Sequence, residues 1–437
     1  MATHTGVTYF CTGQFRNWYA AFVMGSVRRW PTPWAFSLPI LPLGMYVGFI
    51  WTALPFLLSR AGVPVEQIAR MGALLQLPPI FMFLWTPIVD VKLRRRTWLV
   101  IAASVTALCM WVACSLLGAS HLKMLTTFLL GGGVVVALVM ASCGGLMVTM
   151  LSASEQSKAS AWNQAGNFGG GVLGAAVVLW LIDRLSLPLV GLAAAALVAL
   201  PAYVALTIAE PLPRSSPWFR GRLSEIQREG LAVLRSPKRR WSVLLLIAPG
   251  STCAAQSLLP ALASHYGVGG AGVMWTNGVA GGVVLALGSL SGVLVPGDWD
   301  RRLTYAGAGL TNALGAIVLL VANRPSVYFW GTLLYLLTTG FCNARYVALV
   351  LDIVGTEGHD TSTWYAALTA VGNIPIASMI WLEGKSFHSF GTHGLLWTDA
   401  TANLVVFAIV ALVFAARGLG IRGSPTSQVL KPEISGS

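Results

Sequence analysis

Long apolar segments separated by short polar ones make up most of this sequence, and they restrict the folds that the chain can adopt. Twelve of these segments approach or exceed the roughly 20 apolar residues that a helix needs to cross the hydrocarbon core of a bilayer. Hydrophobic residues make up 56% of the chain and charged residues only 10%, whereas about 25% of an ordinary soluble domain is charged. Because a soluble protein needs a charged surface that this chain lacks, we predict an all-α integral membrane protein with twelve transmembrane helices.

The predicted spans form two sets of six, with a polar stretch between them. They are residues 34–58, 69–91, 97–117, 124–150, 161–182 and 189–209, followed by 241–264, 269–296, 303–322, 327–354, 364–381 and 395–416. The chain then divides into an N-terminal cytoplasmic tail (1–33), a six-helix bundle (34–209), a cytoplasmic linker (210–240), a second six-helix bundle (241–416) and a disordered cytoplasmic tail (417–437). The first tail could hold a short interfacial helix or be disordered, and residues 222–235 could form an amphipathic helix at the membrane surface.

The basic residues indicate the orientation of the spans and account for the net charge of +13. With both termini in the cytoplasm, the inner segments hold 21 Lys and Arg residues and the outer loops hold 6. Since short cytoplasmic loops carry an excess of Lys and Arg, we predict a multi-pass protein of the cytoplasmic (inner) membrane with both termini inside. The charge follows the loops between apolar segments, so nucleic acid is not an expected partner.

The two halves of the sequence match weakly at a nearly constant offset. Glu155 pairs with Glu357 and Trp162 with Trp364, both 202 residues apart and both where a loop meets a predicted helix. Duplicated six-helix halves joined by a cytoplasmic linker resemble the layout of major facilitator transporters, which open to each side of the membrane in turn. The resemblance implies two pseudo-symmetric bundles around a substrate site near the middle of the membrane.

The stretch TPIVDVKLRRR, at the end of the second span, resembles the loop signature of this superfamily. Asp90 matches the aspartate of the signature, and Arg94 and Arg95 match its basic pair. A carboxylate at a helix end can pair with basic residues or accept hydrogen bonds from the N-terminus of a neighbouring helix, so we predict a contact that holds the halves together in one state. Thr86 and Leu93 replace two glycines of the signature, and an ordinary charged loop is the alternative interpretation.

The second half contains a related stretch, SGVLVPGDWDRR. It keeps Gly292, Asp298, Arg301 and Arg302, although the spacing between them is shifted. We predict the same gating function for Asp298, Arg301 and Arg302.

Residues 55–90 carry a more specific resemblance. Their Phe83, Leu84, Trp85, Pro87 and Asp90 match an element that ends the second helix in AmpG-type muropeptide permeases and their acetyl-CoA-transporter relatives, and residues 154–171 are similar to the same branch. The resemblance implies a secondary active transporter, specifically a proton-coupled importer (a symporter) of a bulky anionic solute such as a muropeptide. A siderophore importer of the neighbouring branch is the alternative.

Arg345 lies in the middle of the predicted span 327–354, where a charged side chain costs at least about 2.5 kcal/mol. Arginine does not lose its proton in proteins, so it needs a partner. One interpretation is a cation that faces the cavity and binds a carboxylate or phosphate of the substrate, with Asn343 nearby. The other is a structural pair with Asp352, which lies two helical turns further along roughly the same face.

Other polar and aromatic residues inside the predicted spans are candidates for contact with the substrate. They are Tyr46, Trp51, Asn163, Asn167, Gln256, Asn277 and Asn373. We select them because transport cavities of the major facilitator fold draw on the spans in which they lie. Hydrogen bonds between neighbouring helices are the alternative explanation for each of them.

Proton coupling requires a titratable group near the cavity, and few acids stand out within the predicted spans. We take Asp352 as the candidate, with Arg345 alternating between this carboxylate and the substrate. The cysteines and histidines are scattered, and the glycine clusters lack the Lys-Ser/Thr of a phosphate-binding loop, so we expect no cofactor and no metal. The expected partners are a small-molecule substrate, protons and the lipid bilayer, with the chain acting as a monomer. A membrane-embedded enzyme remains as an alternative of another class.

Overall fold

The fold is almost entirely helical. A computed structural model of the chain describes residues 32–63, 67, 71–72, 74–90, 93–117, 121–210, 236–355 and 361–421. Within these residues, eight helices are long and apolar enough to cross a membrane, and each of the twelve predicted spans has a helical counterpart. Most of both predicted tails, the amphipathic helix predicted at 222–235, and Glu357 lie outside the described residues.

We number the helical segments α1 to α12 in chain order, and several of them consist of consecutive shorter helices. The first half contains α1 (Pro33–Ser37, Leu41–Gly48, Phe49–Ala53, Leu54–Arg60), α2 (Leu77–Phe81, Met82–Leu84, Thr86–Asp90), α3 (Arg95–Ser115), α4 (Leu122–Met150), α5 (Ala153–Leu181) and α6 (Leu187–Ala199, Leu200–Thr207). The second contains α7 (Pro237–Ile247, Ala254–Ser257, Leu259–Leu262, Ala263–Tyr266), α8 (Gly270–Val273, Met274–Ala280, Gly281–Ser291, Gly292–Leu294), α9 (Arg301–Leu319) and α10 (Pro325–Val354). The last two, α11 and α12, form the helix Thr361–Ala416, which turns at Gly391 (φ 64°, ψ −154°).

The contacts between the halves follow the internal repeat. On one side, α5 packs against α8 and α10, and on the other, α11 packs against α2 and α4. Exchanging each helix for the one six positions away, α5 for α11, α8 for α2 and α10 for α4, converts the first set of contacts into the second, as expected for two halves related by a pseudo-twofold axis. The weak sequence repeat is therefore matched by a symmetry in the packing.

Polar helix ends explain why the segments begin where they do. Helix α5 starts at Ala153, although hydropathy alone predicts a span from residue 161, because Ser152 and Glu155 form a capping box at its N-terminus. At α3, the backbone N–H groups of Arg95 and Arg96 donate to the carboxylate of Glu210, each at 3.1 Å. Hydropathy does not identify these first turns as helical, because their residues are polar.

Helix α7 is interrupted in the middle of the molecule. Its first part ends at Ile247, and helical structure resumes at Ala254. Between them, Pro249 has no N–H to donate to a helix, and Ser251 and Cys253 adopt left-handed φ values of 59° and 52°. Non-glycine residues adopt this conformation only at a cost in energy, so the surrounding packing must hold the interruption in place.

Candidate functional site

A cavity of about 190 Å³ lies between the two halves. Its polar lining is uncharged and comes from both halves: α5 contributes amides, and α7, α9, α10 and α11 contribute hydroxyls, phenols and amides. The lining residues are Ile40, Leu43, Met140, Asn163, Gln164, Asn167, Ser251, Thr252, Tyr305, Asn343, Tyr346, Val347, Tyr365, Thr369, Gly372, Asn373, Pro375 and Ile376. Amide and phenol groups both donate and accept hydrogen bonds, so this lining suits a polar solute rich in hydroxyl or amide groups.

Four of the predicted substrate-binding residues line this cavity. They are Asn163, Asn167, Asn343 and Asn373. Asn163 also donates to the carbonyl of Phe36 at 3.4 Å, and Asn343 donates to the carbonyl of Thr339 at 3.0 Å, so each retains an oxygen that can accept from a solute.

The other predicted polar residues lie away from the cavity. Tyr46 is buried and donates to the carbonyl of Leu129 on α4, and Asn277 donates to the Tyr328 hydroxyl at 2.7 Å. Trp51 is 45% exposed, and Gln256 is half-buried in the second part of α7. Hydrogen bonds between neighbouring helices describe Tyr46 and Asn277 in this conformation, and contact of these four residues with a substrate stays a prediction.

Arg345 is fully buried and reaches across to the other half of the molecule. Its guanidinium donates from Nη1 to the Ser157 hydroxyl at 2.9 Å, and from Nη2 to the Ser157 carbonyl at 3.1 Å and the Gly292 carbonyl at 3.0 Å. Nε has no partner among the described residues, and no described carboxylate pairs with the side chain. Arg345 therefore joins α10 to α5 in this conformation, and its binding of a substrate anion stays a prediction.

Asp90 makes a second contact between the halves, at the end of α2. Its Oδ2 accepts from the backbone N–H and the hydroxyl of Thr363, both at 2.9 Å, at the N-terminus of α11. Its Oδ1 accepts from Arg95 Nε at 2.9 Å, and the same Nε lies 2.9 Å from the Ser362 hydroxyl. Arg94 is the N-cap residue of α3. The carboxylate is thus placed at the positive end of a helix dipole on the other half.

The equivalent stretch in the second half is arranged differently. Arg301 donates to the Ala153 carbonyl at the start of α5, which joins the halves again. Asp300 caps α9 by accepting from the backbone and side chain of Arg302 at 2.9 Å. Asp298 is exposed. The gating function of these residues stays a prediction.

Asp352, the predicted proton carrier, interacts electrostatically with Arg301. Burial lowers the pKa of the Arg301 guanidinium, while the nearby carboxylates of Asp352 and Asp300 act in the opposite direction. Asp352 is half-buried at the end of α10, and it also interacts with Arg302. In this conformation, the arginines near Asp352 are thus the first two residues of α9, Arg301 and Arg302.

All of these contacts lie on one face, which carries the turns at residues 93–94 and 295–300. We call it the loop face. Two halves joined on one face around a central cavity are arranged as in an alternating-access transporter. The sequence matches the Major Facilitator Superfamily over residues 37–378.

The chain belongs to the Major Facilitator Superfamily.

Solved structures of major facilitator transporters share its fold. The human organic anion transporter MFSD10 (TETRAN) superposes with a TM-score of 0.62 at 15% identity, covering 86% of this chain and 98% of that chain. The transporter FucP in its outward conformation gives 0.62 at 16% identity, covering 88% and 99%. The proton:xylose symporter XylE gives 0.62 at 14% identity, covering 89% and 96%. The predicted all-α membrane fold is confirmed and is consistent with twelve helices in two pseudo-symmetric halves. The AmpG-type branch is not confirmed, and no curated protein matches the sequence.

The structure of this major facilitator chain also reveals two acids that the sequence analysis overlooked. Glu383 on α11 and Asp399 on α12 are fully buried and interact with each other, so the expectation of few acids within the spans was incomplete. Asp399 falls inside the predicted span 395–416, and Glu383 lies just beyond the end of 364–381. Their equal distance from Gly391 was a signal in the sequence, because a hairpin of helices brings such residues to one level. Within the described residues, no group of three or more His, Cys, Asp or Glu is placed to hold a metal ion.

Proposed function

We propose that this chain is a proton-coupled importer of a bulky anionic solute such as a muropeptide, and that it works by alternating access. In this proposal it acts as a monomer in the cytoplasmic (inner) membrane with both termini inside. The observation that carries the proposal is the cavity lined by amides and phenols from both halves, together with the hydrogen bonds that join the halves on the loop face. Movement of one half against the other would expose such a cavity to each side in turn.

The chemistry of the lining supports a muropeptide as the solute. A muropeptide consists of sugar and peptide, whose hydroxyl and amide groups match Asn163, Asn167, Asn343 and Asn373. The resemblance of residues 55–90 to AmpG-type permeases favours the same substrate. The cavity volume of about 190 Å³ is below the roughly 300–1,000 Å³ typical of ligand sites. Binding of a bulky solute therefore requires the halves to separate further than in this conformation.

The proposal that the solute is anionic depends on Arg345. No charged side chain lines the cavity, and Arg345 is the buried cation closest in sequence to its lining residues Asn343 and Tyr346. A rearrangement that breaks its contacts with Ser157 would free the guanidinium to bind a carboxylate. Asp352 is the proton carrier that the sequence suggests for this step.

Uptake into proteoliposomes tests the proposal. We expect labelled anhydromuropeptide to accumulate when a proton gradient is imposed and not when the gradient is collapsed, and we expect a labelled ferric siderophore not to accumulate. Asn343→Leu should abolish uptake, while Asn312→Leu, which removes a buried amide outside the cavity, serves as the matched control. Uptake of the siderophore alone would support the alternative function, a siderophore importer. If folded protein takes up neither compound, the substrate assignment is refuted.

A further inference from the structure

Glu383 and Asp399 form a buried carboxyl pair in the second half of the molecule. Both side chains belong to residues with 0% exposure, and each lies eight residues from Gly391, at which the helix Thr361–Ala416 turns back on itself. At about 1.5 Å of rise per residue, both carboxyls lie about 12 Å from the turn. They therefore occupy one level of the α11–α12 hairpin, well inside the bundle.

The surroundings of the pair contain no compensating charge. The described groups that interact with it are the Tyr335 hydroxyl on α10 and the thiols of Cys253 and Cys342. None of these carries a positive charge. The two carboxyl groups interact with each other, and Asp399 interacts with the fully buried Tyr335 hydroxyl from a third helix. None of these oxygen atoms makes a hydrogen bond of regular geometry with a described residue.

Two adjacent negative charges cannot remain in such a place. Removing even one carboxylate from water costs several kcal/mol when no cation or set of donors replaces the lost hydration. A bound proton lowers this cost, because it removes one of the two negative charges and turns one carboxylate into a hydroxyl donor for the other, as in the carboxyl pairs of aspartic proteases. The carboxylate that stays ionised can also accept from the Tyr335 hydroxyl.

We propose that Glu383 and Asp399 together bind the proton that drives transport, in place of Asp352. This inference rests on the proposed function in one respect only, namely that transport is coupled to protons. The step moves one proton from water to a carboxylate oxygen when the pair is reached from one side. The reverse step returns one proton to water on the other side, and no other reactant takes part.

A set of hydrogen bonds connects the backbone of Asp399 to the lining of the central cavity. Asn403, one turn beyond Asp399, donates to the Asp399 carbonyl at 3.0 Å and accepts from the backbone N–H of Ser251 at 2.7 Å. The Ser251 hydroxyl donates to the Tyr305 carbonyl at 2.9 Å, and Ser251 and Tyr305 both line the cavity. Because Ser251 lies in the interruption of α7, a change in this strained segment on solute binding would reach the carboxyl pair through Asn403.

Infrared difference spectroscopy of the purified chain in lipid nanodiscs tests the inference without any solute. A change in pH should produce the C=O stretching band of a protonated carboxyl group in the unmodified chain. The band should disappear in Glu383→Gln and in Asp399→Asn. It should persist in Asp183→Asn, since Asp183 is 59% exposed and paired with Arg60. Tyr335→Phe, which keeps both carboxyls, should keep the band and shift the pH at which it appears.

Three results would overturn the inference. The first is a band unchanged in both Glu383→Gln and Asp399→Asn, and the second is a band that vanishes when sodium replaces choline at constant pH, which would identify a sodium site instead. The third is gradient-driven accumulation of anhydromuropeptide that survives in both variants. Loss of the band in a chain that transports no anhydromuropeptide would support the proton site and refute only the substrate assignment.

Discussion

Ser157→Ala is the sharpest test of the contact between α5 and α10. The substitution removes one buried hydroxyl and leaves the Arg345 guanidinium, which is 1% exposed, with one partner fewer. A hydrogen bond to a charged group contributes about 1.5–3 kcal/mol, and a buried donor left without an acceptor adds to the loss. We expect the conformation closed on the loop face to be destabilised by about 2 kcal/mol relative to the open one, which is about a 30-fold change in their ratio.

Distances between spin labels on the loop face measure this ratio. Leu93→Cys and Trp299→Cys place labels at positions that are 41% and 40% exposed, one on each half. In a background without native cysteines, pulsed electron paramagnetic resonance should show a population at longer distance that grows in Ser157→Ala. Ser289→Ala is the matched control, because this buried serine donates to the Gly340 carbonyl at 3.0 Å within the second half. It should lower the stability of the fold without changing the distance distribution.

A double-mutant cycle with Arg345→Met shows whether the guanidinium carries the effect. Once the guanidinium is absent, Ser157→Ala should no longer change the distances between the labels. An equal effect of Ser157→Ala with and without Arg345, or no effect in either background, would refute the reasoning.

Three further substitutions test the other contacts. Asp90→Asn removes the negative charge that accepts from the N-terminus of α11 at Thr363, and we expect it to shift the same label distances at least as far as Ser157→Ala. Gly145→Leu places a side chain where even a Cβ would clash with the Ser362 hydroxyl, so it should keep the loop face open and make a cysteine introduced at Leu93 or Trp299 more reactive to maleimide. Asn343→Gln lengthens an amide that lines the cavity, and it should weaken anhydromuropeptide binding several-fold in equilibrium dialysis while leaving melting temperature unchanged.

The helical architecture could be predicted because the bilayer imposes a simple rule on the sequence. A helix that crosses the hydrocarbon core needs about 20 mostly apolar residues, and its backbone hydrogen bonds must form within the helix. Long apolar segments such as 124–150 and 327–354 follow from that rule. Structural details that depend on polar groups are harder to predict from the sequence. The start of α5 depends on the capping box of Ser152 and Glu155, and the interruption of α7 depends on contacts with α9 and α12 that lie far away in sequence.

The candidate site was predictable in composition but not in geometry. Polar residues within apolar spans were identified as candidates, and Asn163, Asn167, Asn343 and Asn373 do line the cavity. The sequence does not show which face of a helix points towards the cavity. Tyr46 and Asn277 were therefore predicted on the same grounds, although they form hydrogen bonds with neighbouring helices. For Arg345, sequence offered Asp352 on the same helix as a partner, whereas Ser157 is separated from it by 188 residues.

The two halves share a similar fold, but only the second half contains the buried charged residues of our proposals. We infer that the halves have different functions. At the offset of 202 residues that relates the junctions, Arg345 corresponds to Cys143, Glu383 to Leu181 and Asp399 to Leu197, none of which is charged. The packing of α5 and α11 repeats between the halves, because rocking requires two similar bodies. A charge inside the membrane is expensive wherever it stands, so a second copy would add cost without adding a function. The second half therefore carries the buried charges that, in our proposals, respond to protons and anions, and the first half supplies amides to the cavity and the Ser157 partner against which Arg345 closes.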